Sequence, residues 1–150
     1  MALVCKLETE VEFKSSAEKM YNLIKGRNHH IPNVSNGIHA VDVHEGDWET
    51  SGSVKLWKYT VEEKEETFKE KVEIDDENKR VTLVCLEGHC LDHYKSYKAS
   101  FKVTPKGQSG VVAITLNYEK RQNDSPDANK YLQFLVNVIK DIDAYLIKDA

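Results

Sequence analysis

Residues 3–13 alternate strictly. Leu3, Cys5, Leu7, Thr9, Val11 and Phe13 share one parity, and Lys6, Glu8, Glu10 and Glu12 share the other. Period 2 over this length predicts a half-buried strand. Ser15-Ser16-Ala17-Glu18 has the form of a capping box, with Ser15 as N-cap and Glu18 reaching back. It predicts a short helix to about Lys25, stopped by Gly26, with Ala17, Met20, Tyr21 and Ile24 as the apolar stripe. A brief second turn or helix is expected across His29–Val34, where Pro32 interrupts or starts it.

From Gly37 the pattern becomes strand-like. Apolar alternation marks Ile38–Glu45, Ser53–Val61, Glu65–Ile74, Lys79–Glu87, Leu91–Thr104 and Val111–Glu119, each bounded by polar turns. Short strands at regular spacing predict one antiparallel meander. The period then switches to helical. Ser125 as N-cap, Pro126 at the first helical position and Asp127 in the first turn predict a helix over about 126–148. Ala128, Leu132, Leu135, Val136, Ile139, Ile142, Tyr145 and Leu146 recur along it. The predicted class is α+β: a seven-stranded antiparallel sheet, two short helices after strand 1 and one long C-terminal helix. All of 1–150 forms a single domain. The long helix is the element able to cover the sheet's apolar face, and a curved sheet gripping one helix generally encloses a cavity.

Composition narrows the function. With 31% charged residues and a mean hydropathy of −0.57, no uncharged apolar run nears the roughly 18 residues of a membrane span. A net charge of −4 argues against a general nucleic-acid binder, which needs a basic face. Cys5, Cys85 and Cys90 are odd in number and lack a C-x-x-C pair, so reduced thiols in the cytoplasm are expected rather than a disulfide framework. The N-terminus lacks the pattern of a secretory signal. The hydrophobic 40% includes seven Tyr, four Phe and two Trp, spread over every segment.

Several strings, in order along nearly the whole chain, carry a resemblance. They are His29-His30-Ile31-Pro32-Asn33, His44-Glu45-Gly46-Asp47-Trp48, Gly52-Ser53-Val54-Lys55-Leu56-Trp57-Lys58-Tyr59 and Glu87-Gly88. Further on come Tyr94-Lys95-Ser96-Tyr97-Lys98, Val103-Thr104-Pro105-Lys106-Gly107 and Tyr118-Glu119-Lys120. Together they resemble the major latex protein family of plants, within the birch pollen allergen superfamily and its helix-grip fold. The resemblance implies an internal hydrophobic cavity that binds apolar plant metabolites such as steroids, flavonoids or terpenoids. It also implies that a minority of relatives are enzymes, which condense, isomerise or cyclise reactive alkaloid or terpenoid intermediates. Related hormone receptors signal through partners, but no partner motif is seen here.

The remaining motifs are weighed on their chemistry. Gly46–Gly52 is glycine-flanked but lacks the lysine of a phosphate-binding loop, and Asp47 and Glu49 would repel phosphate. His89 and His93 are four apart on what reads as a strand, not a helix, so no metal site is expected. No cofactor is expected either. The acidic run Glu62–Glu66 reads as a solvated hairpin. His93 and Lys95 share the parity of Tyr97 and Phe101; they lie at a solvated end or project into the pocket, where a desolvated Lys95 would suit a Schiff base. Glu70 shares the parity of Phe68, Val72 and Ile74 and would face the cavity, where an apolar setting raises a carboxyl pKa. A shifted register, or an open edge, would instead leave it in water.

Two functions therefore stand. One is carriage of a small hydrophobic ligand by a monomer or weak dimer. Its walls would be Leu56, Phe68, Leu83, Tyr97, Phe101, Val112, Ile114, Leu132, Leu135, Val136 and Ile139, with Tyr21, His30, Glu70 and Tyr118 as polar anchors. The other is a cofactor-free cyclase or isomerase of a reactive terpenoid (nepetalactol-type) or alkaloid intermediate. Glu70, His30 or Tyr97 would then move a proton while the pocket supplies proximity.

Overall fold

A computed structural model describes residues 3–148. Strand β1 (Val4–Phe13) leads into helices α1 (Ala17–Lys25) and α2 (Ile31–Val34), separated by a 3₁₀ turn at Asn28–His30. Strands β2 (Ile38–Glu45), β3 (Val54–Val61), β4 (Lys64–Asp75) and β5 (Arg80–Gly88) follow. After a second 3₁₀ turn at His89–Asp92 come β6 (Tyr94–Lys106), β7 (Ser109–Lys120) and the long helix α3 (Asn129–Lys148). The strands form one antiparallel sheet in the order β1-β7-β6-β5-β4-β3-β2. It is a meander from β2 to β7, closed by β1 against β7 in unbroken register from Val4↔Glu119 to Phe13↔Gly110. One face of the sheet turns toward α3, and the inner faces of β1, β6 and β7 meet α3 in the core. This is the helix-grip arrangement.

Two local expectations need correction, and one open alternative is decided. Ser16, not Ser15, caps α1: its Oγ accepts from Lys19 N at 3.3 Å. The N–H of Ser15 is instead held by the Asp143 carboxylate of α3 at 2.9 Å. Helix α3 begins at Asn129 rather than 126 because the sheet holds the preceding residues. Tyr94 Oη donates to the Pro126 carbonyl at 2.8 Å, and Tyr118 Oη donates to Asp127 and accepts from Ala128 N. Ser125 Oγ accepts from Gln122 N and closes a turn. Finally, a break in register between Tyr94 and Ser96 turns Tyr94 and Tyr97 to the same inner face. That bulge removes His93 and Lys95 from the pocket: both are exposed, and Lys95 pairs with Glu119 at 3.5 Å.

Gly88 ends β5 at φ +143, where a Cβ would lie 2.4 Å from the Thr67 carbonyl oxygen of β4. No side chain fits without parting the two strands. Gly88→Ala is expected to lower the urea midpoint by an amount equivalent to about 2–3 kcal/mol, through strain and lost β4–β5 pairing.

Candidate functional site

Between the sheet and α3 lies a cavity of about 110 Å³. Its floor is the inner face of the central strands: Trp57 and Tyr59 of β3, Phe68 and Glu70 of β4, Leu83 of β5, and Tyr97, Ala99 and Phe101 of β6. Its roof is the α3 stripe Tyr131, Phe134, Leu135, Val138, Ile139 and Ile142. Ile24, Asn28, Ile31 and Ile38 close one end. The aromatic side chains pack on one another across this space: Phe68 and Tyr131 each meet the Tyr97 ring edge-on at 5.8 Å.

Of the residues the sequence nominates, Phe68, Glu70, Leu83, Tyr97, Phe101, Leu135 and Ile139 line the cavity. The others do not. Leu56 lies on the opposite face of β3 from Trp57 and Tyr59, paired with Lys69. Val112 and Ile114 are fully buried in β7, in solid core beyond the cavity. Leu132 and Val136 pack against that core from the flank of α3. Tyr21 points away and donates to Asp76 Oδ1 at 2.8 Å. Tyr118 fastens the approach to α3, as described, and burial with the Asp127 contact pushes its hydroxyl up to about 12. His30 is half-buried, with its ring 4.1 Å from that of His29, which in turn lies 4.9 Å from Trp48. It is not among the lining residues.

Glu70 is the unusual member of the lining. It is fully buried, and neither carboxyl oxygen has a hydrogen-bond partner. Burial pushes its pKa up to about 8; the positive charge of Lys55 and the neighbouring Trp57 indole N–H oppose the rise without cancelling it. The Trp57 N–H lies near the Glu70 carboxyl, close enough to favour its ionised form, without reaching the geometry of a completed hydrogen bond to it. At pH 7 Glu70 is thus mainly a neutral acid, able to donate or accept.

Lys55 is the residue the sequence reading missed. It sits opposite Glu70 on β3 and is 1% exposed. Its ammonium donates to the Asn28 side-chain oxygen and to the Trp48 carbonyl at 2.8 Å. Asn28 in turn donates to the Leu23 and Ile24 carbonyls at the end of α1. Burial lowers the Lys55 pKa, and the Glu70, Asp47 and Glu49 carboxylates hold it up. One cation therefore joins α1, the turn after it and the Gly46–Gly52 loop. In that loop the N–H groups of Glu49 and Thr50 both point at Asp47 Oδ1, at 2.9 and 2.8 Å. The chain's own carboxylate occupies the donors a phosphate would need.

Glu66 also departs from expectation. The acidic run is solvated through Glu65, but Glu66 is buried and accepts from Tyr131 Oη at 2.8 Å and Tyr59 Oη at 3.4 Å. The hydroxyls of two lining tyrosines are thereby turned to Glu66. Burial holds both tyrosines, and Tyr97 as well, far above the ordinary phenol pKa. His89 Nδ1 accepts from Thr67 N at 3.0 Å and braces the β4–β5 end. Cys85 and Cys90 bring their thiols to 3.0 Å.

Comparison with known proteins agrees with this architecture. The profile of the pathogenesis-related protein Bet v 1 family matches residues 2–149. The chain belongs to the Bet v 1 family. Within it, the MLP-like protein 43 of Arabidopsis thaliana is 40% identical over 152 residues, covering 99% of this chain and 96% of that protein. The crystal structure of ginseng major latex-like protein 151 from Panax ginseng superposes with a TM-score of 0.92 at 35% identity, covering 95% and 97% of the two chains. A norcoclaurine synthase from Thalictrum, solved in complex with a transition-state analogue, shares the fold at a TM-score of 0.80 and 18% identity, covering 99% and 98%. The Bet v 1 fold is thus a ligand-binding scaffold on which enzymes also occur. Among the described residues no helix is long and apolar enough to cross a membrane.

Proposed function

We propose that this protein binds and carries a small hydrophobic plant metabolite in the cavity between the sheet and α3. The observation that carries the reading is the lining: aromatic and aliphatic side chains from five strands and three helices, gathered around one apolar space. The three cysteines with no pairing framework support a cytoplasmic setting, and the family match supports a role in defence or specialised metabolism. A neutral apolar dye, N-phenyl-1-naphthylamine, is expected to brighten on binding. Leu135→Trp, which fills the space from α3, should weaken it about tenfold or more while leaving the circular dichroism spectrum unchanged. Equal dye binding by the filled variant would place the ligand elsewhere.

One observation favours a second reading. A buried acid titrating near 8 inside a cavity is suited to general acid–base work. In that case the cavity would hold a reactive terpenoid or alkaloid intermediate in a closing geometry, with Glu70 as proton carrier and Tyr97 as a second lining group able to move a proton. The test is product analysis of such intermediates, with Glu70→Gln and His30→Ala as variants. The enzyme reading expects altered product ratios with Glu70→Gln and little change with His30→Ala, whose ring is not in the lining. Products identical to those in buffer for the wild type would eliminate it.

A further inference from the structure

The polar groups of the cavity are few, and half of them are already engaged. Asn28 is held by the α1 carbonyls and Lys55, and Tyr59 and Tyr131 are turned to Glu66. Among the described residues, four buried side-chain polar atoms lack a partner. Three of them sit together here: Trp57 Nε1 and both oxygens of Glu70. Buried polar groups are nearly always paired, so three orphans in one apolar wall mark a place where something else completes the bonding.

We propose that Glu70 and Trp57 form a receptor for a single hydroxyl, so that the ligand is an apolar alcohol seated hydroxyl-first against β3 and β4. The proposal rests on the cavity being a binding site. The chemistry selects the group. Trp57 can only donate, whereas a carboxyl accepts in either protonation state. A hydroxyl accepts from the indole N–H and donates to Glu70 through one oxygen. A carbonyl can accept from Trp57 and from the protonated Glu70 but has nothing to donate, so the second Glu70 oxygen stays unpaired. An ammonium has nothing to accept with, and would meet the buried Lys55 charge across the β3–β4 pair. A hydroxyl also reproduces the bonds of any water it displaces, while its apolar body meets Phe68, Leu83 and Phe101.

Four achiral cages of nearly equal size test this by displacement of N-phenyl-1-naphthylamine: adamantane, 2-adamantanol, 2-adamantanone and 2-aminoadamantane. In the wild type the alcohol should bind about tenfold tighter than each of the others, the scale of one buried hydrogen bond made rather than left open. Trp57→Phe and Glu70→Leu should each bring the alcohol-to-adamantane affinity ratio, measured within the same variant, from about tenfold down to about one to three. Equal binding of alcohol and hydrocarbon by the wild type would overturn the proposal. So would a tighter ketone or amine, or a preference that survives both substitutions. If the dye binds and the alcohol ranks no better than adamantane, the hydroxyl receptor alone falls. If neither the dye nor any cage binds, the cavity reading falls with it. Should Glu70→Leu not fold, the wild-type ranking and Trp57→Phe still decide.

Discussion

Glu70→Leu is expected to make the unliganded protein more stable at pH 7, by about 3 kcal/mol from removal of the carboxyl's titration alone. Two effects add. Leucine removes two orphaned polar atoms, each of which costs about 1–3 kcal/mol when buried without a partner. It also removes a titration that opposes folding. The folded carboxyl titrates near 8 against 4.5 when unfolded, so the folded state holds its proton longer. Below 4.5 both states are protonated and Glu70 imposes no titration cost. Between 4.5 and 8 the unfolded chain releases its proton first, and stability falls by up to about 1.4 kcal/mol per pH unit. Above 8 the loss is complete. Besides burial, the groups that bias this titration are Lys55 and Trp57, both on β3. The gain from Glu70→Leu should therefore be smallest near pH 4.5, grow to pH 8 and then level off, as measured by urea unfolding across pH. A constant gain at all pH values, or a loss of stability, would mean that the carboxyl is paired in solution. A stabilising substitution in the middle of the sheet is what a residue kept for function, not for folding, should give.

Lys55→Met is expected to act in the opposite direction, with a loss of about 3–5 kcal/mol. The methionine fills most of the volume but leaves the Asn28 oxygen and the Trp48 carbonyl without their donor. Those two acceptors tie the end of α1 to the Gly46–Gly52 loop, so the damage should be local as well as global. Hydrogen exchange at 46–53 and 27–31 should quicken more than at the centre of β7. Loss of the ammonium also removes the charge that restrains Glu70, whose pKa should rise further. Adding Glu70→Leu to Lys55→Met should then recover more stability than Glu70→Leu gains alone. Additive effects would show that the two residues do not sense each other.

Much of this arrangement is legible in the residues, and the exceptions have identifiable causes. Alternation on β1 and β4 is clean, so Phe68, Glu70 and Val72 are found on one face in both sequence and structure. On β3 both parities carry apolar residues. Val54 and Leu56 compete with Trp57, Tyr59 and Val61, and a lysine on the inner parity points the wrong way. A buried Lys55 is readable only once Glu70 is known to lie opposite it. On β6 the bulge after Tyr94 shifts the parity by one, which no periodicity argument detects. On α3 the apolar arc is wider than the cavity. Leu132 and Val136 belong to the arc but pack on core, whereas Tyr131, Phe134 and Val138 face the space. The helix start shows the same limit: Ser125-Pro126 is a sound local signal, overruled by tyrosines from β6 and β7 that hold the segment to the sheet.

The scattered aromatic residues take on a clear role in this light. Tyr59, Phe68, Tyr97, Phe101, Tyr131 and Phe134 come from far-apart segments and meet around one space rather than filling it.

Methyl-labelled NMR during titration with 2-adamantanol tests that central point most directly. Ile38, Leu83, Leu135 and Ile139 line the cavity, whereas Val4, Leu86 and Ile147 are exposed apolar residues elsewhere. The cavity methyls should shift and saturate together while the exposed set stays still. Shifts confined to Val4, Leu86 and Ile147, or no saturating shift at the cavity methyls, would show that the space between the sheet and α3 is not where this protein takes its ligand.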